Sequence, residues 1–174
     1  KGEKWAAACG FDTVADPKES QVLFDVLRKE AEKQIQTNVA TDKLAGKTIL
    51  DLYDAPFWED VAFSCINCGT CTFVCPTCWC FDIQDETRHN TAVRFRNWDT
   101  CMSPLFTHHA SGHNPRVTKV QRVRQRFMHK LKYFLDKYDQ GIMCVGCGRC
   151  VASCPVNIDI REVCNRMNDY ETTK

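Results

Sequence analysis

The strongest constraint on this chain is a short cysteine run that occurs twice. Residues 65–76 read CINCGTCTFVCP, and residues 144–155 read CVGCGRCVASCP. Both follow the spacing C-x2-C-x2-C-x3-C-P, so eight of the 13 cysteines fall into two matching groups of four. Each run gathers its four thiols within eleven residues, which indicates that the chain is organised around whatever those thiols bind.

This spacing is typical of the ligand runs of bacterial two-cluster ferredoxins. A 4Fe–4S cube presents its irons at the corners of a tetrahedron, and two-residue gaps let the backbone turn closely around it. Gly69, Gly146 and Gly148 favour this approach because glycine readily adopts positive φ. Structural zinc uses pairs of close ligands, often with histidine, and disulfides require an oxidising compartment. The sequence therefore predicts two 4Fe–4S clusters as cofactors.

The ferredoxin pattern also predicts which thiolates share a cluster, because each run gives three ligands to one cube and its fourth ligand to the other. One cluster is expected to take Cys65, Cys68, Cys71 and Cys154. The other is expected to take Cys144, Cys147, Cys150 and Cys75. The proline after each fourth cysteine cannot donate a hydrogen bond, and it turns the chain away from the cluster.

Composition narrows the cellular setting. No apolar run is long enough to cross a membrane and no secretion signal is visible, so thirteen cysteines indicate a reducing, anaerobic cytoplasm. The formal net charge is +1. Each oxidised cube with its four thiolates carries about −2, which brings the loaded protein to roughly −3. The chain begins at Lys1 rather than methionine, and we interpret it as a piece of a longer protein.

We expect two segments along the chain. Residues 1–50 are interpreted as a tether followed by an amphipathic helix, and residues 51–174 as a dicluster 4Fe–4S ferredoxin-like domain. The helix is predicted to start near Asp16 and to end near residue 38, with Leu23, Leu27 and Ile35 on its apolar side. Shorter helices are predicted at 47–53 and after Pro56, an extended segment or strand at 92–98, and a loop at 108–115.

The connection between Cys75 and Cys144 spans 68 residues, which is far longer than in small bacterial ferredoxins. The sequence therefore predicts a mainly α fold, an expanded α-helical dicluster ferredoxin-like domain with loop-rich cluster-binding segments. The clearest helix in this connection has an apolar stripe formed by Val120, Val123, Phe127, Leu131, Phe134 and Tyr138. Its opposite side carries Arg122, Arg126 and Lys130. We interpret this basic side as solvated, or as a surface that raises cluster potentials or docks an acidic partner.

Five cysteines lie outside the two runs. Cys78, Cys80 and Cys101 share the long connection, and three interpretations remain open for them. They are small buried side chains, a third metal site completed by a histidine, or a redox-sensitive group of thiols. Cys9 is interpreted as a plain thiol, and Cys164 as a packing residue.

Residues around the runs carry a more specific resemblance. The motifs are CPTCxCFD at 75–82, WDxC at 98–101, GHNxR at 112–116, RQRxxHK at 124–130 and CVGCGRC at 144–150. Over about residues 50–165 the chain resembles the β subunits of soluble nickel–iron hydrogenase/sulfur reductases, and equally the A subunits of anaerobic sulfite reductases. The resemblance implies an electron-transfer subunit that relays single electrons between a flavin-containing reductase subunit and a catalytic oxidoreductase subunit. Members of this family carry a further N-terminal domain.

Three functional hypotheses follow. The leading one is an electron-transfer domain without an active site of its own, since the sequence shows no glycine-rich nucleotide loop and no nucleophile–base pair. In the alternative, Cys78, Cys80 and Cys101 hold a further centre that itself reduces a sulfur substrate, such as polysulfide. The third is a redox-sensing regulator whose basic helix contacts nucleic acid, which the absence of a base-stacking motif disfavours.

Overall fold

The computed structural model describes residues 2–10, 17–35 and 39–171. Its contacts divide the chain into two compact units, Lys1–Asn38 and Val39–Lys174. Within the described ranges, none of the helices combines the length and the apolar character needed to cross a lipid bilayer.

The first unit contains two helices, α1 (Gly2–Ala8) and α2 (Pro17–Lys33). The predicted capping residue Asp16 and the predicted helix end at residues 36–38 lie outside the described residues. Helix α2 carries the predicted apolar stripe, but Leu23, Leu27 and Ile35 each expose more than half of their surface. The sequence pattern therefore predicted a helix correctly, whereas the described structure does not bury its apolar side.

The second unit contains the remaining elements. Its helices are α3 (Ile49–Tyr53), α4 (Phe57–Phe63), α5 (Thr70–Phe73), α6 (Lys119–Met128), α7 (Phe134–Tyr138), α8 (Arg149–Ala152) and α9 (Ile160–Asp169). A 3₁₀ turn covers Leu105–Thr107, and a π-helical turn at His129–Tyr133 joins α6 to α7. Two antiparallel strands, β1 (Phe81–Arg88) and β2 (Thr91–Trp98), form a hairpin whose register runs from Phe81 opposite Trp98 to Arg88 opposite Thr91.

The prediction of a mainly α fold was wrong. About half of the described residues are helical, and a β-hairpin at residues 81–98 lies in the connection between the two cysteine runs. The extended segment predicted at 92–98 corresponds to β2, but the sequence did not reveal β1. Both strands are almost entirely exposed, so neither shows a buried face in its sequence pattern. Backbone pairing and cross-strand contacts such as the Asp85–Arg94 ion pair hold the hairpin together.

The core of the second unit forms where α4, α6 and α9 meet the chain around Leu44 and Leu52. Trp58 is almost fully buried, stacks against Phe127 with ring centroids 6.3 Å apart, and donates from Nε1 to the Leu52 carbonyl at 2.7 Å. Leu44 precedes the boundary expected at residue 50, yet it is fully buried in this core. The apolar core therefore reaches upstream of the predicted domain start.

Helix α6 and the π-helical turn are buried on two sides. Val123, Phe127 and Leu131 of the predicted apolar stripe are buried, as expected. The basic side is buried as well, with 6% exposure for Arg122, 5% for Arg126, 2% for Lys130 and 1% for Lys132. The interpretation of this side as solvated was therefore wrong, because these cations contact protein groups rather than water.

Lys132 shows how one of these cations is accommodated. Its ammonium donates to the Leu44 carbonyl at 2.9 Å and pairs with the Asp136 carboxylate at 2.7 Å. A buried charge is costly when its counterion is removed, whereas replacing the charge itself by an apolar group often costs little. Asp136 remains one-third exposed, so water moderates but does not remove this cost.

We expect Asp136→Ala to lower the free energy of unfolding by about 1–3 kcal/mol, because it leaves the Lys132 ammonium buried without its counterion. Lys132→Met should cost less. Asp85→Ala is the matched control, since it breaks the exposed Asp85–Arg94 pair, whose attraction is screened by solvent, and it should change the stability little. Thermal unfolding of the cluster-loaded protein under anaerobic conditions measures the stability of all three variants. Equal stability of the Asp136 and Asp85 variants would contradict a structural role for the buried pair.

Candidate iron–sulfur centres

The two cysteine runs adopt the same local conformation. Gly69 (φ 74°, ψ −9°) and Gly148 (φ 72°, ψ −10°) precede the four-residue helices α5 and α8, which pack against each other. The residue before the second cysteine also has positive φ in both runs, 58° at Asn67 and 67° at Gly146. The repeated motif therefore produces two equivalent loops that curl in the same sense.

The structure brings the fourth cysteine of the second run to the first run. Cys65, Cys68, Cys71 and Cys154 line a single cavity, together with Arg126. This is the ligand set predicted for one cluster. Cys150 also lines this cavity, at the point where α8 packs on α5.

Hydrogen bonds around this cavity favour thiolate sulfur. The Asn67 amide donates to Cys65 Sγ at 3.4 Å, and the Ile158 amide donates to Cys154 Sγ at 3.3 Å. The Thr70 side chain and amide hydrogen-bond with Cys68 and lower the pKa of its thiol. Donors aimed at sulfur stabilise the charged form and are a normal feature of iron–sulfur ligation. These residues therefore fit a cluster in their chemistry as well as in their spacing.

Arg126 provides an independent indication of an anionic group in this cavity. Only 5% of Arg126 is exposed, and its buried Nε has no hydrogen-bond partner among the described residues. Burial raises the pKa of the Cys71 thiol, and the Arg126 guanidinium acts against that rise. A buried, unpartnered guanidinium nitrogen is costly without a nearby negative charge. A cluster with its thiolates carries such a charge.

Cys75 lies beside a second buried cation, Lys130. Burial alone would raise the pKa of Cys75, but hydrogen bonds from Thr77 and Lys130 outweigh it and lower the pKa to about 7. Lys130 is 2% exposed and also donates to Thr77 Oγ1 at 2.8 Å. The Met143 amide donates to the Lys130 carbonyl at 2.8 Å, just before Cys144 begins the second run. The structure thus connects Cys75 to the second run by way of Lys130.

The other three members of the second ligand set lie in the loop and helix that follow. Cys144 and Cys150 are partly buried against the core, and Cys147 is exposed. Cys9 is exposed, and Cys164 is buried with its Sγ 3.7 Å from the Ala40 carbonyl oxygen. Burial raises the pKa of Cys164 to about 11, which suits a packing residue rather than a ligand.

The three candidate third-site cysteines line a separate cavity, which also borders Lys130. Burial raises the pKa of Cys78 to about 11, whereas a hydrogen bond from Cys101 lowers the pKa of Cys80 to about 6. The same hydrogen bond, together with burial, raises the pKa of Cys101. Cys78, Cys80 and Cys101 therefore share one environment rather than being scattered packing residues.

Sequence reasoning missed two contacts that support the first run. Thr72 and Thr100 share a buried hydrogen bond of 2.6 Å between their hydroxyl oxygens, which ties α5 to the chain after β2. Thr100 also packs so closely on Gly69 that a Cβ at Gly69 would lie 3.2 Å from its side chain. Neither threonine belongs to the cysteine pattern, and no periodicity joins residues so far apart in the sequence.

Gly69 and Gly148 allow a matched test of this contact. Alanine at either position is strained by about 1–2 kcal/mol because φ is positive. Only Gly69→Ala adds a close approach to Thr100, since nothing lies within 4 Å of a Cβ at Gly148. We expect Gly69→Ala to lower the temperature at which the cluster absorbance is lost by more than Gly148→Ala does. If the two variants lower this temperature equally, the Thr100 side chain moves aside without destabilising the protein.

Comparisons with known proteins agree with the geometry of the runs. The family model described as a 4Fe-4S dicluster domain matches residues 64–158. The chain is 35% identical over 161 residues to sulfhydrogenase 2 subunit beta of Pyrococcus furiosus. That alignment covers 91% of this chain and 46% of the relative, so the chain spans less than half of the relative's length. No solved structure matches it.

These matches confirm the resemblance that the motifs predicted, and the family description indicates two 4Fe–4S clusters. The chain belongs to the 4Fe–4S dicluster domain family, and over most of its own length it is similar to a sulfhydrogenase β subunit.

Proposed function

We propose that this chain relays single electrons through two 4Fe–4S clusters, between a flavin-containing reductase subunit and a catalytic oxidoreductase subunit. The observation that carries the proposal is the cavity in which Cys154 of the second run joins Cys65, Cys68 and Cys71 of the first. Cross-ligation of this kind holds two clusters close together within one small domain. A similar protein named as a sulfhydrogenase subunit supports a place in a multisubunit enzyme.

We assign the second cluster to Cys144, Cys147, Cys150 and Cys75. Lys130 supports this assignment because its ammonium reaches Cys75 while its carbonyl accepts from Met143, next to Cys144. We further propose residues 51–174 as the dicluster domain and residues 1–50 as tether and amphipathic helix, with Leu44 near the end of that segment also included in the domain core. A reducing cytoplasmic location fits this assignment, because cluster ligands must stay as thiolates rather than form disulfides.

The clusters supply the electron chemistry when bound, and the protein sets their position, burial and surrounding charge. Arg126 and Lys130 are fixed positive charges beside the two ligand sets. Each stabilises the more negative, reduced state of a nearby centre and so raises its reduction potential. Because Arg122, Arg126 and Lys130 are buried, they do not form the exposed basic face that a nucleic-acid-binding regulator requires.

Paired substitutions test the ligand assignment. Cys154→Ala and Cys68→Ala should abolish the same electron paramagnetic resonance signal in the reduced protein, because both remove ligands of one cluster. Cys75→Ala and Cys147→Ala should abolish the other signal. Each variant should also lose about four irons per chain. If Cys154→Ala instead removes the signal that Cys147→Ala removes, each run binds its own cluster and the cross-ligation is absent.

A redox titration of the loaded protein tests the relay. Each cluster should accept one electron, and Lys130→Met should lower the midpoint potential of the Cys75-ligated cluster by on the order of 100 mV. A unit charge 5–10 Å away at an effective dielectric constant of about 20 contributes roughly 2–3 kcal/mol, which gives this magnitude.

Lys130→Arg keeps the charge and should leave the potential nearly unchanged. Lys137→Met removes an exposed lysine from the same helical segment and should have little effect, because solvent screens that charge. Two-electron catalysis by the two-cluster core alone, or titration in a single two-electron step, would contradict the relay.

A further inference from the structure

A second cavity holds three cysteines that the two-cluster relay does not use. It has a volume of about 530 Å³ and is lined by Cys78, Cys80 and Cys101. Volumes of about 300–1,000 Å³ are usual for sites that hold ligands and cofactors. The cavity lies in the second unit, and its three thiols come from two chain segments that are separated by the β-hairpin.

The β-hairpin determines which thiols meet. The Asp99 amide donates to the Cys80 carbonyl at 3.0 Å, which continues the hydrogen-bonded ladder one step beyond Phe81 and Trp98. Cys80 and Cys101 therefore leave the base of the hairpin side by side and line the same cavity. Cys78 is directed to the same cavity by a turn in which its amide donates to the Cys75 carbonyl at 3.3 Å.

The lining of this cavity favours a negatively charged occupant. Arg126 and Lys130 both border it, with 5% and 2% of their surfaces exposed. The described lining residues include no aspartate or glutamate. Buried cations in such surroundings are stabilised by nearby thiolates and by an anionic group bound in the cavity.

We propose that Cys78, Cys80 and Cys101 ligate a third iron–sulfur cluster, with one iron left open toward the cavity. With three thiolates, an oxidised 4Fe–4S cube carries a net charge of about −1, which matches the cationic lining. The proposal goes beyond the two-cluster relay and rests on that relay only for the source of its electrons.

The described side chains at this cavity are not arranged to hold a single metal ion. Zinc–sulfur bonds of about 2.3 Å in a tetrahedral site place the sulfurs about 3.8 Å apart. Among residues 2–10, 17–35 and 39–171, no three His, Cys, Asp or Glu side chains are arranged to hold one ion. The two ferredoxin runs also lack that arrangement, because each thiolate in a cube binds a different iron. A single-ion site at Cys78, Cys80 and Cys101 is therefore disfavoured.

A simple dithiol explains less of the site. A disulfide between Cys80 and Cys101 would use two of the three thiols. It would leave Cys78 without a role. A cluster uses all three thiols and gives both cations a negative neighbour.

The test is the iron and acid-labile sulfide content of the full chain, reconstituted and purified without oxygen. We expect about 12 of each per chain. Cys80→Ala and Cys101→Ala should each reduce both to about eight, while the two ferredoxin resonance signals remain. Cys164→Ala and Cys9→Ala are matched controls, one buried and one exposed, and should keep the full content.

The open iron gives a second readout. Adding a small exogenous thiol should shift the third resonance signal and leave the other two unchanged, because only the third cluster has a free coordination position. The iron and sulfide content of the wild-type chain tests for the third cluster even if a cysteine variant fails to fold.

About eight irons in the wild type, unchanged by Cys80→Ala, would overturn the third cluster and leave the relay intact. About eight irons with a Cys80–Cys101 disulfide found by mass spectrometry would replace the cluster with a thiol couple. Four irons or fewer in the wild type would instead contradict the two-cluster function itself.

Discussion

The second unit depends on thiolate sulfur to offset positive charge that it buries. Arg126 and Lys130 are almost fully enclosed, and neither forms a salt bridge with a carboxylate in the described residues. Removing an unpaired cation from water costs several kcal/mol. The nearby anions are the sulfurs of Cys71, Cys75 and Cys78. Cluster binding keeps those sulfurs ionised, so cofactor loading and folding of this unit should be coupled.

This requirement explains why α6 is buried on two sides. Arg122, Arg126 and Lys130 recur every four residues, and Val123, Phe127 and Leu131 form the neighbouring stripe about 100° around the helix. The apolar stripe packs toward Trp58 and the core, while Arg126 and Lys130 border the cysteine cavities. One helix thus joins the hydrophobic core to the metal-binding residues.

The sequence revealed the features that short-range chemistry determines. The spacing of Cys65 to Cys75 limits how a loop can present four thiols, and the apolar period of Val123, Phe127 and Leu131 determines a helix face. It did not reveal features that depend on distant neighbours. In the sequence, an arginine that becomes buried cannot be distinguished from a surface arginine, because its spatial neighbours are not known. The β-hairpin has no buried face, and its pairing rests on backbone hydrogen bonds that leave little trace in composition.

The proposed centres meet in one short stretch of chain. Cys71, Cys75 and Cys78 are assigned to three different clusters, yet they are only four and three positions apart in the sequence. Adding an electron to one centre makes the next addition less favourable, since like charges at short range repel. Lys130 lies close enough to Cys75 and Cys78 to interact with both thiols, so it stabilises a reduced state on either side. A single buried cation between two proposed centres raises both reduction potentials together, so it favours electron uptake by the pair without setting the direction of transfer between them.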